Sequence, residues 1–132
     1  MLPPRRFGRQ TQDRGPLVSP VHRKFIRTFL CSVWKNDGVC DDRHVVDCAH
    51  VRTAANSGTG IKPSDLYLLP LCRIHHREQH NIGQPAFERK YAAELGNMTL
   101  TQKAIEFAVA SPDRLIREAA KAFMASRPPQ AT

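Results

Sequence analysis

The sequence lacks any apolar run that approaches the ~20 residues of a membrane-spanning helix, so we expect no transmembrane segment. It begins MLPPRRFGRQ, without the apolar stretch of a secretory signal. The chain has four cysteines: Cys31, Cys40, Cys48 and Cys72. We therefore expect a protein of the cytoplasm, where cysteines bind metals more often than they form disulfides.

Acidic side chains are also scarce. Twelve Asp and Glu stand against twenty Lys and Arg, which gives a net charge of +8, and fourteen of the twenty are arginine. The planar guanidinium group suits phosphate better than the ammonium group of lysine does. This balance favours a polyanionic partner, most often nucleic acid, although charge that serves only solubility is the alternative.

The chain of 132 residues is long enough for one domain with tails and too short for two. Four Pro, two Gly and four Arg make residues 1–20 a predicted flexible basic tail. We assign residues 21–96 to the domain and 97–132 to a helical extension. A core this small would gain stability from a bound metal.

Local signals predict the order of the elements. Ser19-Pro20 starts a helix that ends near Cys31, and Gly96 is a stop signal for a later helix. The other predicted elements are a strand over 44–52, a loop over 53–65, a strand over 66–71, helices over 73–80 and 84–96, and two further helices that begin at the Thr99-x-x-Gln102 capping box and at Ser111-Pro112-Asp113.

The segment PLCRIHHREQH, residues 70–80, concentrates potential metal ligands. On a helix, His76 and His80 share a face and can bind one ion, because they are four residues apart. His75 lies about 100° around the helix from His76 and instead forms a Cys72-x-x-His75 knuckle. The segment therefore divides into two half-sites that point in different directions.

Each half-site needs partners from elsewhere in the chain. Cys31 and Cys40 can join Cys72 and His75 in a closed, tetrahedral Cys₃His zinc site. The alternative is that these groups are unconnected and that the cysteines act as small hydrophobes. For His76 and His80 the candidate opposite them is His50, on the strand before the long loop.

Three motifs, VDCAHVR, GTGIKPSD and LLPLCRIHHREQH, together resemble the HNH or ββα-metal nuclease family, most closely its prophage-encoded, Ref-like recombination-associated branch. The resemblance covers about residues 21–92. It implies an α+β fold: a small ββα-metal core with a zinc knuckle, an N-terminal helix and C-terminal helices.

The resemblance also implies a metal-dependent DNA endonuclease that hydrolyses phosphodiester bonds. His50 resembles the general base, and His76 and His80 resemble ligands of a catalytic divalent cation (Mg²⁺, Mn²⁺, Ni²⁺ or Zn²⁺). The structural site would hold Zn²⁺. A phage or prophage origin in a bacterial host cell, DNA as partner and a possible recombination protein as second partner follow from the same resemblance.

Four cations are placed to hold phosphates: Arg52, Lys62, Arg73 and Arg77.

Two positions depart from the family pattern. Ala49 stands where many members have a further metal ligand, and Tyr67 falls near the position of the middle Asn. Asp65, Asp47 or Cys48 can substitute, or water can complete the shell of the ion. We assign Asp65 to the catalytic group, while a role as a cap or turn residue is its alternative.

Two other functions stay open at this point. The first is a zinc-stabilised DNA-binding module without cleavage activity. The second is a phage accessory protein that binds another protein through the apolar faces of its C-terminal helices. The sequence does not fix the oligomeric state.

Overall fold

The computed structural model describes residues 17–34, 40, 45–52 and 64–126. Most of the predicted basic tail over 1–20 lies outside these residues, as do Lys62 and nearly all of the predicted 53–65 loop. The elements of the described part are α1 (Pro20–Ile26), β1 (Asp47–His50), a 3₁₀ turn (Asp65–Tyr67), β2 (Leu68–Leu71), α2 (Arg73–Ile82), α3 (Gln84–Lys90), α4 (Leu100–Val109) and α5 (Arg114–Ser126).

The centre of the fold is a short hairpin followed by a helix. Strands β1 and β2 pair antiparallel, with His50 opposite Leu68 and Asp47 opposite Leu71. Helix α2 begins directly after β2, where Cys72 caps its N-terminus. Helices combined with a small two-stranded sheet confirm the α+β class in this coarse form.

Helix α2 has an unusual buried face, because its buried side chains, His75 and Gln79, are both polar. A buried polar side chain is retained only where it finds a partner or a ligand. The helix ends at Ile82 and is followed by Gly83, whose φ of 85° is a conformation that residues with a Cβ rarely adopt. The sharp turn at Gly83 lets α3 start beside α2.

Helix α3 is shorter than predicted. It ends at Lys90, and residues 91–97 form successive turns instead of the predicted continuation to Gly96. The side chains of Phe87, Tyr91 and Leu95 are still buried together in the core. The apolar spacing thus predicts the burial correctly and the helix length wrongly, since turns keep the same side chains on the core.

The C-terminal helices pack on the hairpin side of the molecule. The capping box is present, with the Thr99 side chain and the Gln102 side chain each bonded to the other's backbone N–H. Tyr67 packs edge-on against Phe123 of α5, with ring centroids 6.0 Å apart. Among the helices in the described residues, none is both long enough and apolar enough to cross a bilayer.

Candidate active site and metal centre

Four side chains that are distant in sequence converge beside the start of α2: Cys31, Cys40, Cys72 and His75. All four are buried, and their ligand atoms lie within 4.8 Å of one another. Among the described residues, no other group of three or more His, Cys, Asp or Glu side chains has its ligand atoms this close together. The structure therefore brings together the set that the sequence predicts.

The separations fit a tetrahedral ion. Nδ1 of His75 lies 3.5 Å from Sγ of Cys31, 3.4 Å from Sγ of Cys40 and 3.1 Å from Sγ of Cys72. Sulfur and nitrogen ligands of one tetrahedral Zn²⁺ are about 3.6 Å apart, given Zn–S and Zn–N bonds of about 2.3 and 2.1 Å. The cluster can thus hold a metal ion such as zinc with little rearrangement.

The knuckle itself is fixed by the helix start. The backbone N–H of His75 donates to Sγ of Cys72 at 3.4 Å, as an N-cap acceptor requires. Burial raises the pKa of the Cys31 thiol. Because a buried thiolate is costly without a cation nearby, a divalent ion is the natural companion of this donor set.

A second site opens beside an adjacent face of α2 as a cavity of about 650 Å³. Its lining includes His50 from β1, His76 and His80 from α2, and Arg52 just beyond β1. Among the described residues that line this cavity, none carries a carboxylate. A cavity with imidazoles and a guanidinium group suits an anionic substrate.

His76 and His80 lie as their spacing predicts, with ring centroids 5.0 Å apart. Two imidazoles that share one ion at about 2.1 Å have centroids roughly 4.5–5 Å apart, so the pair fits a shared divalent cation. Nδ1 of His76 donates to Oδ2 of Asp47 at 2.9 Å. A carboxylate in this position fixes the imidazole of a metal ligand and leaves Nε2 for the ion.

His50 is held by a separate carboxylate. Its Nε2 donates to Oδ1 of Asp65 at 3.0 Å, and the Asp65 side chain is 1% exposed. Arg23 donates two bonds of 2.8 Å to the same carboxylate, and the backbone N–H of Ser19 donates a third. Asp65 is therefore a buried carboxylate whose hydrogen bonds link α1 to His50.

The charge state of Asp65 follows from these contacts. Burial raises the pKa of this carboxyl, but hydrogen bonds from Arg23, the Ser19 N–H and His50 outweigh burial and hold the pKa below its usual value of 3.8. A carboxylate can only accept, so it keeps the hydrogen of neutral His50 on Nε2. That tautomer leaves Nδ1 unprotonated.

The sequence left three candidates to replace the family's missing ligand and Asn, and each of the three has different contacts in the structure. Asp65 contacts His50, whereas Asp47 contacts His76. Cys48 is half-buried, lines the cavity and donates its thiol to the carbonyl of Arg23 at 3.4 Å. Tyr67 takes no part in the lining; its partly buried ring packs against Phe123 of α5.

The structure describes three of the four cations that are predicted to bind phosphate, and these three lie in two different places. Arg52 lines the cavity, and both of its backbone polar groups bond to the side chain of Gln84, at 2.6 and 2.9 Å. Arg73 and Arg77 are exposed on α2, one turn apart and next to the His76–His80 face. Lys62 lies outside the described residues.

Two site residues escape sequence reasoning. Arg23 looks like one of several cations on the solvent side of α1, and nothing local indicates that it pairs with a carboxylate 42 residues later. Gln79 lies one residue before His80 and lines the cavity. Helical phase alone would have placed Gln79 beside the two histidines, since it follows His76 by three residues.

Known proteins show what this chain is similar to. A family model described as "Putative HNHc nuclease" matches residues 19–108. The uncharacterized protein YdfU of Escherichia coli (strain K12) is 44% identical over 78 residues, which are 59% of this chain. The matched segment is only 20% of that relative's length. No solved structure matches the chain significantly.

Proposed function

The chain belongs to the HNH nuclease family, and from that premise we propose that it is a metal-dependent DNA endonuclease that hydrolyses phosphodiester bonds. The observation that carries the proposal is a cavity lined by His50, His76 and His80. Asp65 holds His50, and Asp47 holds His76. Phosphodiester hydrolysis needs a general base and ligands for a divalent cation, both beside a cavity that accepts an anion.

In this proposal His50 is the general base. Its Nδ1 accepts a proton from the attacking water, because Asp65 keeps Nε2 protonated. The resulting imidazolium is stabilised by the buried carboxylate, as positive charge on the ring faces negative charge on Asp65. Arg23 keeps that carboxylate ionised and in place through two hydrogen bonds.

His76 and His80 would hold the divalent cation, and such an ion supplies charge neutralisation at the phosphoryl group and at the leaving oxygen. Asp47 orients His76 for that task. Arg52, at the cavity, and Arg77, on the adjacent helix face, would bind phosphates on either side of the bond that is cut.

The finer parts of the proposal extend the sequence resemblance. We propose a phage or prophage origin, Zn²⁺ in the Cys₃His cluster, DNA as the main partner and a recombination protein as a second partner. The +8 charge supports a DNA partner. The cytoplasmic location and the domain limits at residues 20 and 96 stay predictions.

The test is nicking of supercoiled plasmid by the purified protein with Mg²⁺, Mn²⁺ or Zn²⁺, beside His50→Ala and His80→Ala. His50→Ala should lose rate and keep its metal, whereas His80→Ala should lose both. Equal nicking by wild type and both variants would refute the proposal. Tight, salt-dependent DNA binding without cleavage under any metal would instead favour the DNA-binding module.

A further inference from the structure

Gln79 is a buried polar side chain at the cavity wall. It is 4% exposed and lines the cavity that also holds His50, His76 and His80. With His76 and His80 it occupies positions i, i+3 and i+4 of α2, which span about 100° of the helix surface. Its side chain therefore starts from the same sector of the helix as the two histidines.

The orientation of its amide follows from one contact. Nε2 of Gln79 donates to the backbone carbonyl of His50 at 3.4 Å. A carbonyl only accepts, so the NH₂ group must be the end that faces β1. Oε1 is consequently the other end, and among the described residues it has no hydrogen-bond partner although it is buried.

A buried acceptor without a partner is costly to fold, which indicates that a ligand satisfies it. The phosphodiester group is not that ligand, because it is itself an acceptor and offers no hydrogen. A cation is suitable, and amide oxygens are ordinary ligands of hard divalent ions such as Mg²⁺ and Mn²⁺.

The two histidines leave such an ion short of ligands. Asp47 is paired with Nδ1 of His76, and Ala49 offers no donor where many family members have one. Hard divalent ions take about six ligands, several of them oxygens, so two imidazole nitrogens alone are a poor match. An uncharged oxygen from the same helix would complete a three-point attachment and leave the other positions to water and phosphate.

We propose that Oε1 of Gln79 is an oxygen ligand of the divalent cation that His76 and His80 bind. The proposal rests on the proposed function for the existence of that ion and adds the residue that completes its protein ligands. It also explains why a polar residue is buried at this point of α2. Through Nε2, the same side chain ties the ligand set to the strand that carries His50.

The experiment starts from protein loaded with one zinc per chain, which leaves the second site empty. It is a titration with Mn²⁺, followed by the electron paramagnetic resonance signal of free Mn²⁺. Mn²⁺ is chosen because a Cys₃His cluster retains the softer zinc. The variants are Gln79→Leu and Gln79→Glu. Both lose the donor to the His50 carbonyl, but only Gln79→Glu keeps an oxygen, so their difference reports on the oxygen alone.

The matched controls are Gln84→Leu and Gln84→Glu. Gln84 lines the same cavity, but its amide is satisfied on both sides by the backbone of Arg52. Gln84→Glu therefore measures what an added negative charge does to Mn²⁺ affinity without a ligand role. Thermal melting of each zinc-loaded variant shows that it is folded.

We expect Gln79→Leu to weaken Mn²⁺ binding by roughly 10–100-fold. Gln79→Glu should bind at least as tightly as wild type, by a margin larger than that of Gln84→Glu, and Gln84→Leu should change affinity little. Equal Mn²⁺ affinity in wild type and Gln79→Leu would overturn the proposal, as would equal losses in Gln79→Leu and Gln79→Glu.

The readout separates this proposal from the proposed function. Mn²⁺ binding that is lost in His80→Ala and unchanged in Gln79→Leu overturns the role of Gln79 alone. Binding with the expected variant pattern, but without plasmid nicking, supports the ligand and refutes the nuclease activity. Absence of any Mn²⁺ binding that depends on His80 overturns both.

Discussion

Nε2 of His50 donates its hydrogen to Oδ1 of Asp65 at 3.0 Å, and that carboxylate is in turn held by two hydrogen bonds from Arg23. The three residues come from β1, the 3₁₀ turn and α1. The orientation of the imidazole therefore depends on the packing of the N-terminal helix against the hairpin. Any activity that uses His50 as a base should respond to changes at Asp65 and Arg23.

The first prediction concerns Asp65→Asn. A carboxamide can donate as well as accept, so it no longer forces the hydrogen of His50 onto Nε2, and part of the protein would carry it on Nδ1. We expect kcat for plasmid nicking to fall by about 10–100-fold while Mn²⁺ affinity stays near wild type. Initial rates at saturating metal measure the effect.

Glu106→Gln is the control for this variant, because it makes the same chemical change at a side chain of α4 that is 55% exposed. Its rate should stay within about twofold of wild type. If Asp65→Asn and Glu106→Gln nick at the same rate, Asp65 does not position the base.

The second prediction concerns stability in acid. The folded-state pKa of Asp65 lies below its usual value of 3.8, so its contribution to the free energy of unfolding is present above about pH 4 and is lost as the pH falls through the folded-state pKa. Asp65→Asn lacks a titrating group and cannot lose this contribution. Urea unfolding at pH 7 and pH 3 should show the larger acid-induced loss in wild type.

Protonation of the zinc ligands also destabilises the fold in acid, but it does so equally in both proteins. The quantity to follow is therefore the difference in the free energy of unfolding between wild type and Asp65→Asn. That difference should shrink between pH 5 and pH 3. A difference that is independent of pH would contradict the assigned ionisation of Asp65.

The third prediction concerns the Cys₃His cluster. Metal analysis should find at least one zinc per chain, and Cys31→Ser or Cys72→Ser should lower Tm by more than ~10 °C, because the binding energy of a structural metal is folding energy. Cys48→Ser is the matched control, since Cys48 lies outside the cluster. Equal Tm values for all three variants and wild type would remove the site.

The extent to which the sequence predicts this molecule depends on the distance over which each signal acts. Helical phase alone separates the Cys72–His75 pair from the His76–His80 pair. The division into two half-sites could therefore be predicted. The partnership of Asp65 with Arg23 and Ser19 could not, because it spans 42 and 46 residues and has no local pattern.

Local signals also cannot tell which histidine Asp47 contacts and which Asp65 contacts. From the sequence, either carboxylate can replace the missing ligand or the missing Asn. Which imidazole each one meets depends on the register of β1 against β2 and on where α2 begins. A one-residue shift of register would move side chains to the opposite face, so only the folded hairpin decides the pairing.

The fourth prediction concerns Asp47→Asn. Loss of the carboxylate that accepts from Nδ1 of His76 should weaken binding of the divalent cation by about 10–100-fold. Zinc content should not change, because Asp47 is not part of the Cys₃His cluster. Mn²⁺ titration and zinc analysis on the same sample test both parts, and a loss of zinc together with Mn²⁺ would show misfolding instead.

The last prediction concerns DNA binding by the arginines. Arg52 lines the cavity and Arg77 is exposed beside the His76–His80 face, so each should bind a phosphate next to the reacting one. Arg52→Ala and Arg77→Ala should raise Kd for DNA and reduce the slope of log Kd against log salt by about 1 each. Fluorescence anisotropy at several salt concentrations, without divalent cation, measures both quantities.

Arg114→Ala is the matched control, because Arg114 is a 73% exposed arginine at the start of α5 and does not line the cavity. All three variants lose one positive charge, so a general attraction of the basic chain for DNA would change by the same amount in each. A larger effect in Arg52→Ala and Arg77→Ala locates the DNA at the cavity. Equal effects in the three variants would mean that the charge acts without a defined docking face, and the cavity would then lose its assignment as the place where DNA binds.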